Sequence, residues 1–209
     1  RDDLVTGVQT CALPILLCFF VLFFLSCGKN PKNDLNINLE SGVVTDLEGN
    51  AHSGIIIDSV DGFSIIAESK DGLLNGTLEK YSNISNSKIL FSIENFTMGL
   101  KNGPSMRYDS SGDITSIINF KNGKKDGKSI FYNQENAKTS EEIWKNGYKT
   151  NEYKFHVDGK KLKQAIQFNK SGDRHGELLN YNGLGNLIEK VPYKNGSIHG
   201  DKISYDYYG

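Results

Sequence analysis

A pair of glycines four residues apart recurs along the chain, at Gly72/Gly76, Gly99/Gly103, Gly123/Gly127, Gly172/Gly176 and Gly196/Gly200. Gly147 continues the series with Asn151 in the second place, and Gly49/Gly54 is a looser copy upstream. Successive first glycines from Gly72 stand 27, 24, 24, 25 and 24 residues apart. A fixed period of this length marks a repeat architecture, in which one supersecondary unit is copied and stacked. Aromatics keep step with it. Three residues before the first glycine stand Phe96, Phe120, Trp144 and Tyr193, with Phe168 displaced by the insertion that makes one period 25. Five residues after the second glycine stand Tyr81, Tyr108, Tyr132, Tyr181 and Tyr205, and His156 occupies that column in the Asn151 copy.

The local chemistry makes each copy a β-hairpin. Asn-Gly at 102–103, 122–123, 146–147 and 195–196 supplies the positive-φ residues that tight hairpin turns require. β-rich runs flank the turns, such as ITSIINF (114–120) before and KSIFY (128–132) after. A short loop such as YDSSGD leads on to the next copy. No stretch after the first 41 residues shows a sustained 3.6-residue period, so helices are expected to be rare. One hairpin cannot bury its aromatics alone. The expected fold is therefore all-β: tandem hairpins of about 24 residues forming an elongated, twisted antiparallel sheet, with the aromatic columns along one face.

Blocks such as FKNGKKDGKSIFY (120–132) and YKNGSIHGDKISY (193–205) resemble the bacterial variant of the MORN repeat. The resemblance covers residues 42–209 and is strongest from Phe96 onward. It implies tandem β-hairpins and a role in binding or scaffolding rather than catalysis; some bacterial members are exported lipoproteins and some are antitoxin-like. Two departures stand out. Asn151 replaces the second glycine, and the copies before Gly72 lack the aromatic columns, with Ser69 and Ser59 in their place. Those upstream copies either lie outside the array or cap it. The chain closes on Tyr205-Asp-Tyr-Tyr-Gly209, the spacing seen from Tyr108 to Gly112, so the last copy reads as cut in mid-repeat.

The N-terminal segment divides in three. Residues 1–15, RDDLVTGVQTCALPI, back-translate into what looks like a short-read sequencing adapter, and belong to no fold. Residues 16–27 begin with the apolar run LLCFFVLFFL, too short to span a bilayer as a helix but suited to the core of a truncated signal peptide. The run ends at Ser26-Cys27-Gly28, which resembles a bacterial lipobox and implies that Cys27 carries the lipid anchor. Residues 28–41 then read as a flexible tether. All three cysteines lie at or before Cys27, leaving none for disulfides or thiolate metal sites in the array. The expected location is the bacterial cell envelope.

Composition narrows the chemistry. A net charge of −1 excludes a generally basic nucleic-acid binder. With 23% charged and 11% aromatic residues, plain disorder is also excluded. Charge is uneven: residues 28–120 hold 7 basic against 12 acidic side chains, and residues 121–209 hold 16 against 11. No nucleophile elbow, zinc-protease helix or phosphate-binding loop appears, so no catalytic residue, metal or cofactor is expected. His175 and His199 lie one period apart, but zinc wants three or four ligands. The leading expectation is a non-enzymatic, lipid-anchored repeat protein that presents a β-surface to a protein partner. Its candidate anchors are Tyr108, Tyr132, Trp144, Tyr181 and Tyr205, residue types favoured at binding hot spots. The alternatives are an antitoxin or immunity role with one toxin partner, or binding of anionic lipid or glycan by the basic half through Lys124, Lys125 and Lys128.

Overall fold

The computed structural model describes residues 35–84 and 87–208; the stretches read as an adapter and as a signal peptide, Cys27 and the first part of the expected tether lie outside them. The described chain is all-β, with no helix and one open antiparallel sheet. From Gly54–Val60 and Phe63–Lys70 to Leu187–Lys194 and Ile203–Ser204, the long strands lie side by side in the order in which the sequence presents them. Each new strand is therefore a local addition, as a stacked repeat requires.

Two kinds of connection alternate. At the first glycines, Asp71-Gly72, Met98-Gly99, Asn122-Gly123, Asn146-Gly147 and Asn195-Gly196 all have positive φ at both positions, the signature of two-residue type I′ turns. The turn in the second full copy is thus Met98-Gly99, not Asn102-Gly103 as the dipeptide suggested; register outweighs the poor fit of methionine to φ 48°. At the other ends, loops headed by Asp or Asn hold themselves closed. Asp109 Oδ1 accepts the amides of Ser111 and Asp113, and Asn133 Oδ1 accepts those of Glu135 and Ala137. Asn182 repeats the arrangement with Leu184 and Asn186.

The second glycine sits in a β-bulge. Ile118 pairs with Ser129 and Phe120 with Lys125, so three residues stand opposite Asn119 alone, whose amide caps the Lys128 carbonyl at 2.7 Å. In the Asn151 copy the bulge holds one extra residue, Thr150, because Ile143 pairs with Asn151 and Trp144 with Lys149. Every later residue of that copy shifts by one. Phe155, paired with Leu162, takes the place that Tyr132 and Tyr181 hold opposite Lys138 and Leu187, and His156 becomes the head of the loop instead.

Leu35–Asn38 falls within the segment read as a tether, yet it is a strand paired with Val43–Asp46. Its alternation puts Leu35, Ile37 and Leu39 against the main core of Val44, Ile56, Ile65, Ala67, Leu74, Leu78 and Phe96. Fully burying a side chain such as Ile56 or Leu78 contributes about 1.5–3 kcal/mol. The upstream copies thus cap the array with a true apolar core. A second, smaller cluster, Ile166, Leu178 and Val191, serves the other half.

Candidate functional site

The aromatics three before the first glycine share one face with the capping hairpin. There they form a ladder with a cation from each neighbouring copy. Lys101 lies 5.4 Å from the Phe120 ring centroid, Lys125 lies 4.4 Å from Trp144, Lys149 lies 4.6 Å from Phe168 and Arg174 lies 5.4 Å from Tyr193. Each of the four cations also pairs in register with the aromatic of its own hairpin: Phe96 with Lys101, Phe120 with Lys125, Trp144 with Lys149 and Phe168 with Arg174. Gly76, Gly103, Gly127 and Gly176 lie opposite Phe96, Phe120, Trp144 and Tyr193. What holds them as glycine is their positive φ of 118°, 105°, 92° and 86° and the preceding strand, since a Cβ would meet Glu68, Asn95, Asn119 and Gln167. Each cation–ring contact contributes roughly 0.5–1 kcal/mol.

The remaining charges of this ladder face are matched internally. Glu94, largely buried, meets Lys80 at 3.3 Å and Lys101 at 2.8 Å. Burial alone would push its carboxyl up, but the two ammonium groups hold it below the usual carboxylate range. Lys149 bridges Glu142 and Glu152, and the Trp144 Nε1–H donates to Glu142 at 2.9 Å.

The tyrosine column lies on the opposite face, contrary to the expectation that both columns line one face. Strand alternation sets the parity, since the bulge in these copies adds two residues and leaves it unchanged: Arg107 and Phe131 belong to the ladder face through Ser116, so the adjacent Tyr108 and Tyr132 point away from it. Tyr81 donates to Glu79 at 2.5 Å and Tyr108 contacts Met106 Sδ at 3.7 Å, each two residues back on its own strand. Burial and the Glu79 carboxylate push the Tyr81 phenol up to about 12, with the hydrogen bond to Glu79 the largest cause. Beside the tyrosines a register row crosses the sheet without a break: Ile57, Ile66, Glu79, Ile93, Met106, Ile117, Ile130, Glu141, Tyr153, Ala165, Leu179, Lys190 and Ile203. Its apolar members are at least partly exposed, with Ile57 at 51% and Ile66 at 40%. This row was missed in the sequence, although the residue two before each tyrosine recurs with the same period.

Of the residues picked out in the sequence, Tyr108, Tyr132 and Tyr181 are half-buried on the tyrosine face and Tyr205 is 40% exposed. Trp144 belongs to the ladder face. The three lysines are not brought together: Lys125 stacks on Trp144, Lys128 pairs with Glu141 at 2.8 Å on the tyrosine face, and Lys124 is exposed beside the Gly147 turn. His175 and His199 are exposed at bulges, and among the described residues no three His, Cys, Asp or Glu side chains gather as a metal site.

Fold and faces together define a class of molecule: an open-sheet array of β-hairpins, capped at one end and carrying two chemically different faces. No protein-family model matches the chain, and neither does any curated protein.

Proposed function

We propose that the chain is a non-enzymatic repeat protein of the MORN-variant type, held at a bacterial envelope through Cys27, that presents its tyrosine face to a partner protein. The observation that carries this reading is the contrast between the faces. The ladder face is covered by its own capping hairpin at one end, and elsewhere most of its cations lie over aromatic rings or against carboxylates. The tyrosine face leaves Ile55, Ile57 and Ile66 exposed directly behind the main core and, beyond Glu79, carries a partly exposed apolar run from Ile93 through Met106 and Ile117 to Ile130. Contiguous apolar surface of this kind is characteristic of protein-interaction sites. A dedicated toxin partner is one form the same reading takes.

Binding of anionic lipid or glycan by Lys124, Lys125 and Lys128 is the weaker reading, because two of the three ammonium groups already have partners on opposite faces. The test is affinity capture from envelope extracts at low and high salt. Wild-type chain is compared with Ile117→Lys/Ile130→Lys on the tyrosine face and with Lys124→Ala. One stoichiometric, salt-resistant partner that is lost only with the isoleucine variant supports the reading. Recovery of lipid or glycan alone, at low salt and dependent on Lys124, refutes it.

A further inference from the structure

Between Tyr108 and Tyr132 the tyrosine face has a shallow, open cleft of about 440 Å³, lined also by Gly112, Asp113, Ile114 and Asn136. Tyr108 pairs in register with Ile114, and the next strand brings Tyr132 to its other side. Two aromatic side chains about 10 Å apart, two strand spacings, thus flank an apolar floor. Among the described residues no hydrogen bond or ion pair reaches the Asp113 carboxylate or the Tyr132 hydroxyl.

The neighbouring copy shows what this arrangement takes. One period on, the floor position is Lys138, paired with Tyr132 as Ile114 is with Tyr108. Its ammonium lies 3.9 Å from the Phe155 ring centroid and 3.3 Å from a Glu141 oxygen. The chain therefore fills one groove of this design with its own lysine, using an aromatic face and a carboxylate. The preceding groove has the aromatics, with isoleucine in the lysine's place and Ile117 where Glu141 stands; its carboxylate, Asp113, comes from the adjoining loop instead.

We propose that the cleft between Tyr108 and Tyr132 receives the ammonium group of a lysine side chain carried by the partner protein, with Asp113 as counter-charge. This rests on the protein-binding reading and names the chemistry by which that face would recognise its partner. Aromatic faces attract cations through the ring quadrupole, and a nearby carboxylate adds charge complementarity.

The test is an NMR titration of the full chain with Nα-acetyl-lysine amide, read at the tyrosine ring protons. The uncharged Nα-acetyl-norleucine amide is the control. Lysine amide is expected to shift Tyr108 and Tyr132 saturably while norleucine amide does not. Asp113→Asn should weaken binding at least fivefold, and Ile114→Lys should abolish it by supplying the cation in cis. Ile114→Leu should bind as wild type. If Ile114→Lys does not fold, Asp113→Asn decides. Equal response to norleucine amide, or unchanged affinity in Asp113→Asn, overturns the proposal. A response to phosphatidylcholine vesicles but not to lysine amide also overturns it, reassigning the cleft to a lipid headgroup. The two readings fail separately: a captured partner with a silent probe removes only the lysine site, and a responding probe with no captured partner removes only the protein-binding reading.

Discussion

Replacing Gly42 by alanine should unseat the capping hairpin. Gly42 donates to the Asn38 carbonyl at 2.8 Å and accepts from the Leu74 amide at 2.7 Å, while the Leu74 carbonyl accepts from the Gly99 turn at 2.8 Å. It has φ +70°, and a Cβ there would stand 2.1 Å from the Gly99 oxygen and 2.4 Å from the Gly99 Cα, both backbone atoms. The left-handed conformation alone costs an alanine about 1–2 kcal/mol. The overlap adds a displacement of more than 1 Å, beyond what the packed segment can absorb while Val44 remains fully buried. Releasing Val44 forfeits about 1.5–3 kcal/mol, and Leu35, Ile37 and Leu39 lose part of theirs. The expected total is about 4–6 kcal/mol. Gly49→Ala supplies the matched control, because Gly49 has φ +88° and open space around it, leaving only the conformational cost. Because a stacked array need not unfold in one step, the clean readout is native-state hydrogen exchange at the Leu74 amide, beside urea titrations of both variants. A Gly42→Ala loss no larger than that of Gly49→Ala would refute the close approach, and with it the place of residues 35–46 in the fold.

Glu94→Gln should destabilise by about 2–3 kcal/mol at neutral pH, since it leaves Lys80 and Lys101 without their shared counter-ion. The Glu94 pKa is depressed, so its contribution is full above the ordinary value of 4.5 and fades as pH falls through the lower folded value. An acid titration of the far-UV signal should therefore lose part of its slope in Glu94→Gln; identical acid limbs in variant and wild type would count against the pair. Lys125→Ala removes the cation 4.4 Å from the only tryptophan, so Trp144 emission should change together with a loss of roughly 0.5–1 kcal/mol, and an unaltered spectrum would deny the stack. Spectrophotometric titration should find one phenol retarded to about 12, and Glu79→Gln should return it towards 10.0; because the folded value is raised, stability from this bond is full below 10 and lost as pH rises towards 12. Inserting one glycine between Thr150 and Asn151 should be absorbed by widening the bulge to the size found at Gly127, whereas an insertion after Tyr153 should break the pairing with Leu162–Gln167; similar stability for the two would contradict the register.

The period, the hairpins and most turns were legible because the constraints that fix them are local. A type I′ turn needs two positive-φ residues wherever it occurs, so Asn-Gly at 122–123, 146–147 and 195–196 announces itself. The same cue misled at Asn102-Gly103, where that dipeptide belongs to the bulge and Met98 accepts the strained position instead. The face of the tyrosine column was legible in principle, because Phe120 pairs with Lys125 across the turn, Tyr132 lies an odd seven residues further on, and a bulge of two extra residues leaves that parity unchanged. Only the bulge of one extra residue at Thr150 changes which side the later residues take. Counting five from the second glycine thus gave His156 where the structure has Phe155. The alternation of Leu35, Ile37 and Leu39 did carry a strand signal, but the polar residues between them gave the segment the look of a tether.

The division of labour between the faces follows from building in a single layer. A sheet without a second sheet or helix behind it must stabilise itself within its own plane. The apolar cap does this for the first strands, where Leu74 and Phe96 are buried together. From Lys101 to Arg174 the position two after the first glycine is Lys or Arg instead of the Leu at Leu74, and it returns to an aliphatic residue at Ile198. The same contact with the neighbouring aromatic column then persists as a cation over a ring. A lysine can cover the ring with its methylenes and keep its charge in water, which an aliphatic side chain on an open face cannot do without leaving apolar surface exposed. Stacking in this half therefore demands basic residues, which accounts for Lys125, Lys149 and Arg174 within the positive balance of residues 121–209 without invoking an anionic ligand. On the tyrosine face, among the described residues, a cation covers a ring where Lys138 lies over Phe155. The isoleucines of the row keep part of their surface in water, most of all Ile57, Ile66 and Ile203, and an exposed apolar strip on a solvent-facing sheet invites aggregation unless a partner occupies it.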